Sequence, residues 1–145
     1  MLSKFSDHNL IYVLTILEAI EKINIYTKNI DSDIDFFEQD EQKTFNAVCH
    51  LLLAVGEETK KIDEKLKDNF LFINWEQIAA VRNRIAHDYK GLDYEIVYRI
   101  AKVELKPLKE ALIEILKFID IDKNVLSEYL SSQFYKNIQY LKNKE

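Results

Sequence analysis

Turn formers are nearly missing from this sequence: two glycines and one proline stand among 145 residues. So few tight turns exclude an all-β sandwich, whose many short strands need a turn every several residues. They point to an all-α chain of long helices. Cysteine is scarcer still. Cys49 stands alone, so no disulfide can form within the chain, and the reducing cytoplasm is the expected compartment. No apolar run reaches the ~18 residues that a membrane span needs, and the opening MLSKFSDHNL lacks a signal peptide's apolar region. His8, His50 and His87 lie far apart with no H-E-x-x-H spacing, and one thiol cannot build a zinc site. No metal and no cofactor is expected.

What is present is apolar bulk and unevenly spread charge. Hydrophobic residues make up 48% of a 17.2 kDa chain, enough to bury one core and to argue against disorder. The net charge is -5. Residues 1–81 carry 8 basic and 15 acidic side chains. Residues 82–109 reverse the balance, with 7 basic (Arg82, Arg84, Lys90, Arg99, Lys102, Lys106 and Lys109) against 4 acidic. A Lys- and Glu-rich bundle often fluctuates this way, so the asymmetry only supports an anionic partner argued on other grounds.

Periodicity divides the chain into helices. Leu10, Val13, Leu14, Leu17 and Ile20 recur at three- and four-residue steps, predicting a helix over 7–27 with Ser6 or Asp7 as its cap. The acidic stretch 29–40 reads as a loop holding Phe36 and Phe37 against the body. A second helix is expected over 41–66, with Phe45, Val48, Leu52, Val55, Thr59 and Ile62 on one face. Gly56 inside it costs about 1 kcal/mol relative to alanine, and close approach of another helix is the expected compensation. Asn74 and Gln77 form a capping pair for a third helix over 75–87. Gly91 suits a left-handed exit from it. Asp93 then caps a helix bearing Ile96, Val97, Ile100 and Ala101, and Pro107 fits as the first residue of the next, through Ile119. Asp122 caps a last helix along which Leu126, Tyr129, Leu130, Phe134, Ile138 and Leu141 recur. The expected architecture is a bundle of five or six helices.

The densest chemistry lies in RNRIAHDY, Arg82 to Tyr89, at the end of the third helix. Histidine trades protons near neutral pH, and arginine grips phosphate with a planar fork. Cutting RNA without metal needs these two functions: a base to free the ribose 2′-hydroxyl, and a cation for the charge that builds on phosphorus. A helix C-terminus favours a cation, which suits His87 as an acid or cationic stabiliser. Residues five apart lie ~140° round an ideal helix. Arg82 and His87 can therefore converge only at a fraying terminus or between two protomers. The bland reading stays open: His87 as a cap, Arg84 as a surface charge, Asn83 as a local hydrogen-bonder and Tyr89 as a lid over the core.

Arg82, four residues, His87, one residue and Tyr89 resemble the R-x4-H-x-Y motif of HEPN domains, specifically the HepT-like toxins. AVGEETKKI (54–62), IAAVRNRIAHDYKGLDYEIVYRI (78–100) and Pro107 in ELKPLKE are similar to the family's surroundings, and the likeness covers roughly residues 8–118. The resemblance implies an all-α HEPN-like bundle, assigned here to 1–119, and a homodimer placing two motifs across one cleft; residues 120–145 extend beyond the family's pattern and are expected as a C-terminal helical extension packed on the same domain. It implies a metal-independent endoribonuclease with Arg82 and His87 catalytic and Asn83 as polar helper. Arg84 and Lys90 would bind RNA. It further implies an antitoxin partner, an MntA-like minimal nucleotidyltransferase that moves AMP from ATP onto Tyr89. An adenylate there would repel and occlude RNA.

Two other readings compete. The chain could be a non-catalytic helical partner that presents substrate to a small nucleotidyltransferase, with Arg82 and His87 binding a nucleotide or the enzyme. It could also be a purely structural interaction protein whose motif is a helix cap.

Overall fold

α1 (His8–Thr27) is the hub of the computed structural model, which describes residues 8–143. Its expected stripe of Leu10, Val13, Leu14, Leu17 and Ile20 is buried, and so are Ile16, Ala19 and Ile23 on its other sides. The extra burial arises because α1 is packed by α2 (Asp33–Lys61), by α6 (Leu105–Ile115) and by the C-terminal turns. The proposed caps Ser6 and Asp7 lie outside the described residues. Among the described residues there is no strand, and no helix is long and apolar enough to cross a membrane.

Glu18 sits on this hub with no exposed surface. A buried carboxylate needs donors, and Asn137 supplies two: its backbone N–H at 2.8 Å and its side-chain amide at 2.7 Å. Glu21, one turn on, accepts from the Tyr140 hydroxyl at 2.6 Å and pairs with Lys109 at 2.7 Å. Residues of the C-terminal stretch thus supply the donors that make two acids on α1 tolerable.

α2 differs from the expected element at both ends. The 29–40 stretch is not all loop: Ser32 accepts the Asp35 N–H at 3.1 Å and caps a helical turn that begins at Asp33. Then Gln39 is extended, and Asp40, Glu41 and Gln42 take φ of 50°, 54° and 70°. Left-handed backbone costs about 1–2 kcal/mol per non-glycine residue. Aromatic packing offsets it. Phe36 is fully buried and meets Phe45 edge-on at 5.8 Å, while Phe37 stacks on Tyr94 at 4.6 Å. Beyond the break the predicted face (Phe45, Val48, Leu52, Val55, Thr59 and Ile62) is buried as its spacing requires. The helix stops at Lys61, and Leu66 belongs to a separate turn, α3 (Glu64–Lys67).

Burial pushes the Cys49 thiol up to about 12. At pH 8 this lowers the thiolate fraction by roughly three orders of magnitude relative to an ordinary thiol. Iodoacetamide should therefore leave the native protein almost unmodified at pH 8 and alkylate it readily in denaturant. Equal rates in both states, read by intact mass, would contradict the burial.

Pro107 does not start a helix. α5 (Tyr94–Arg99), capped by the Asp93 carboxylate on the Glu95 N–H at 2.9 Å, runs through a π turn (Ile100–Glu104) into α6, where Pro107 is the third residue. The π turn ahead of it, with Leu105 N–H reaching Ile100 O, loosens the ladder where the ring would crowd it. Val97, Ile100 and Ala101 face inward as expected, but Ile96 is exposed.

The last expected helix is also shorter. α7 (Lys123–Leu130) is capped by Asp122, which accepts the Asn124 N–H at 2.7 Å. The Ser131 hydroxyl donates to the Glu128 carbonyl at 2.6 Å, and the chain continues as 3-10 turns, Gln133–Tyr135 and Gln139–Asn143. A 3-10 turn advances ~120° per residue instead of ~100°, which redirects the apolar set. Leu130, Ile138 and Leu141 remain buried, Phe134 turns outward, and Tyr135 takes its place with its hydroxyl 3.1 Å from Thr15.

Candidate functional site

α4 (Trp75–His87) spans the residues its caps predict. Asn74 accepts the Gln77 N–H at 3.0 Å, and the Trp75 indole N–H donates to the Phe70 carbonyl at 3.1 Å, which fixes the start. Only Ile85 of its thirteen residues is buried. Ala79, Ala80, Asn83, Ala86 and His87 face solvent, so the helix is pinned along one edge and open on the rest.

Gly56 sets that edge. A Cβ there would collide with the Arg82 Cβ and lie 2.8 Å from its Cγ and 3.5 Å from the Ile78 carbonyl. The mid-helix glycine is therefore where α4 crosses α2 at closest approach, as its position suggested. One residue on, Glu57 forms an ion pair with the Arg82 Nε. The other side of the guanidinium donates to the Asn83 side-chain oxygen at 3.0 Å. Arg82 is held in one orientation by neighbours on both flanks.

The exit from α4 is built differently from expectation. No glycine among the described residues has positive φ. Instead Asp88 ends the helix with non-helical backbone (φ -145°, ψ 47°) and a 3-10 turn, Tyr89–Gly91, follows. Gly91 lets the Asp88 carboxylate fold over the turn: a Cβ would stand 2.6 Å from one of its oxygens and 2.8 Å from the other, and this exposed side chain would have to swing aside. Arg84 reaches over this turn, donating to the Gly91 carbonyl at 3.2 Å and pairing with Asp88 at 3.6 Å. These side chains are about 60% exposed, so the pair is worth little by itself.

Tyr89 leaves the turn towards α2, where its hydroxyl donates to the Asn46 side-chain oxygen and its ring lies 6.1 Å from that of Phe45. It is 46% exposed, so the phenol is anchored yet reachable. Desolvation against α2, with a smaller contribution from Cys49, raises it above the ordinary tyrosine value. Asn46 and Glu57, which contact the motif from α2, had no signal in the sequence beyond Gly56 beside Glu57. Among the described residues no hydrogen bond or ion pair joins Arg82 to His87. Arg82 faces α2 and His87 faces out, as the ~140° between them requires. Lys90 is exposed near them.

The basic excess of 82–109 is partly consumed within the fold. Lys102 donates to the Thr27 carbonyl at 2.9 Å, closing the end of α1, and Lys109 pairs with Glu21. Arg84, Lys90, Arg99 and Lys106 remain exposed. The cationic surface is thus a cluster around the motif turn with two outliers, narrower than the sequence count suggests.

An all-α bundle that presents arginine, histidine and tyrosine at one exposed helix end defines a class of small helical domain. The chain belongs to the Ribonuclease HepT-like family, whose model matches residues 16–115. It is 31% identical over 114 residues to a Methanocaldococcus jannaschii protein whose name joins a gamma-glutamylcyclotransferase to a proposed RNase. That match covers 79% of this chain and 50% of the longer protein. A second protein of that organism, whose name proposes an RNase, is 30% identical over 75% of this chain and 88% of its own length. A Thermococcus cleftensis protein named "Probable ribonuclease HepT" is 33% identical over 68% of this chain and 86% of its own. No solved structure matches the chain.

Proposed function

We propose that this protein is the toxin of a toxin–antitoxin pair, a metal-independent endoribonuclease that cuts RNA with Arg82 and His87. The observation that carries the reading is the placement of Arg82, locked by Glu57, on a helix whose exposed end carries His87. In this mechanism a base takes the ribose 2′-hydroxyl proton and the 2′-oxygen attacks phosphorus. The P–O5′ bond then breaks, and an acid returns a proton to the leaving oxygen, giving a 2′,3′-cyclic phosphate and a 5′-hydroxyl end. His87 exchanges one of those protons. Arg82 neutralises the charge that develops on the phosphate oxygens, and Asn83 keeps its fork aligned through their 3.0 Å hydrogen bond. Arg84 and Lys90 hold flanking phosphates, and an electrostatic grip of this kind is sequence-tolerant and salt-dependent.

A homodimer completes the reading. The open face of α4, with Ala79, Ala80 and Ala86 small enough for close approach, supports a two-fold contact in which each site draws on both chains. Residues 1–119 form the HEPN-like unit and 120–145 an extension on it. The compartment is the cytoplasm, in keeping with a lone reduced Cys49. The single most informative test is purified protein incubated with total RNA in EDTA. Cleavage to cyclic-phosphate ends supports the reading, and intact RNA at all protein concentrations rejects it.

Control falls to Tyr89. A partly exposed phenol whose proton is harder to remove than usual needs a base from a partner enzyme before its oxygen can attack the α-phosphate of ATP, breaking the α–β anhydride bond and releasing pyrophosphate. An MntA-like nucleotidyltransferase is that partner. The added adenylate lies two residues from His87 and repels RNA. Tyr89→Phe should stay toxic yet escape neutralisation, and only the wild-type chain should gain AMP by intact mass. Equal AMP gain by Tyr89→Phe would refute the acceptor assignment. One observation favours the runner-up, a non-catalytic partner of a nucleotidyltransferase: Arg82 already spends part of its guanidinium on Glu57 and Asn83. The RNA assay separates the two.

A further inference from the structure

Cutting RNA through its own 2′-hydroxyl moves two protons, one off that hydroxyl and one onto the leaving 5′-oxygen. His87 carries one of them, which leaves the other without a carrier. The Cys49 thiol is buried and pushed up to about 12, and desolvation raises the Tyr89 phenol above its ordinary value. Glu57 is engaged by Arg82, and Asp88 by Arg84. Imidazole is the side chain that trades protons near neutral pH, and the chain has three, at His8, His50 and His87. His8 stands at the wrong end of the bundle. The side-chain oxygen of its neighbour Asn9 accepts the Asp63 N–H, past the last turn of α2.

His50 stands on the edge of α2 that holds the motif. Asn46, His50 and Glu57 fall within about 40° of one another around that helix. Asn46 accepts from the Tyr89 hydroxyl, and Glu57 pairs with Arg82. His50 lies between these two contacts, one turn and about 6 Å along the axis from Asn46. Since Asn46 meets Tyr89 and Glu57 meets Arg82, α4 runs antiparallel to α2, and His50 stands across from the stretch 83–88. Both helices turn one side inward there: Leu52 and Val55 of α2 join Ile78, Val81 and Ile85 of α4 at the core. The other side is open, and Asn46, His50, Asn83, Ala86 and His87 are all exposed on it.

We propose that His50 is a second catalytic residue, the general base of the RNA cleavage in which His87 is the acid. The assignment rests on the ribonuclease reading and supplies the proton carrier that reading lacks. The C-terminal end of α4 favours a cation, so His87 enters as the imidazolium and His50 as the neutral ring. The scissile linkage lies over the α2–α4 edge beside Arg82. His50 takes the 2′-hydroxyl proton as the 2′-oxygen bonds to phosphorus. The P–O5′ bond breaks, and His87 gives its proton to the 5′-oxygen. A turnover therefore leaves His50 charged and His87 neutral, and water resets both rings because both are exposed.

The full chain and its His50→Ala, His50→Gln and His8→Ala variants are compared on total RNA in EDTA, with circular dichroism to confirm equal helicity. His50→Ala and His50→Gln should each lower kcat by ~10²–10⁴-fold, the range for a lost general base, with the apparent KM little changed. Imidazole in the buffer should restore part of the His50→Ala rate, which no purely structural role would allow. His8→Ala should cut like the wild type. Full cleavage by a folded His50→Ala protein, a loss confined to KM, or a loss that imidazole does not relieve would each overturn the proposal while the wild type still cuts. Intact RNA with the wild type would instead reject the ribonuclease reading, and this base with it.

Discussion

His87→Ala should lower RNA cleavage by ~10²–10⁴-fold, the range for losing a general acid or base, while leaving helicity and melting temperature unchanged. The asymmetry follows from exposure. His87 lies at the open end of α4 and packs against nothing in the core, so its removal costs chemistry and little stability. Arg82→Ala should match it in lost cleavage but differ in stability. The Arg82 stem lies against Gly56, and its guanidinium answers Glu57. Without it, the partly buried Glu57 loses its cation, and a carboxylate left unpaired at a helix contact is destabilising. Arg82→Lys should rescue stability better than activity, because an ammonium lacks the fork that spans Glu57 and Asn83. If the sites are shared between protomers, mixing Arg82→Ala with His87→Ala subunits should restore part of the cleavage. Full cleavage by a folded His87→Ala protein would sink the assignment.

Gly56→Ala should lower both the melting temperature and cleavage, although alanine is the better helix former. Propensity favours the substitution by about 1 kcal/mol. Against it stands the collision of the new methyl with the Arg82 Cβ, an atom tied to the α4 backbone that cannot rotate away. Overpacking of this kind typically costs 1–3 kcal/mol, so the net effect is a loss of up to about 2 kcal/mol, or several degrees at this size. The relief available is to push α4 off α2, which separates Glu57 from Arg82 and Asn46 from Tyr89. Activity should therefore fall further than stability alone explains. An unchanged or higher melting temperature with full cleavage would show that the contact is looser than described.

Periodicity and capping located α4 to the residue because both are local. Asn74 meets Gln77 three positions away, and the apolar stripe of α1 repeats at helical steps. The same local reasoning misplaced the turn at Gly91, the helix start at Pro107 and the end of α7. In each case another local geometry won: a 3-10 turn replaced a left-handed exit, a π turn absorbed the proline, and 3-10 geometry turned Tyr135 rather than Phe134 inward.

The sequence by itself determined the all-α class, the one-core size and the presence of arginine, histidine and tyrosine around one helix end. Those features depend on composition and on spacings under ten residues. Only the tertiary structure decided which side chains answer them. Asn46 is 43 positions from Tyr89, and Glu18 is 119 from Asn137. Such pairs leave no periodic trace, since contacts between helices are chosen by how the packed surfaces fit rather than by the interval along the chain. The same packing gave Lys102 and Lys109 partners within the fold.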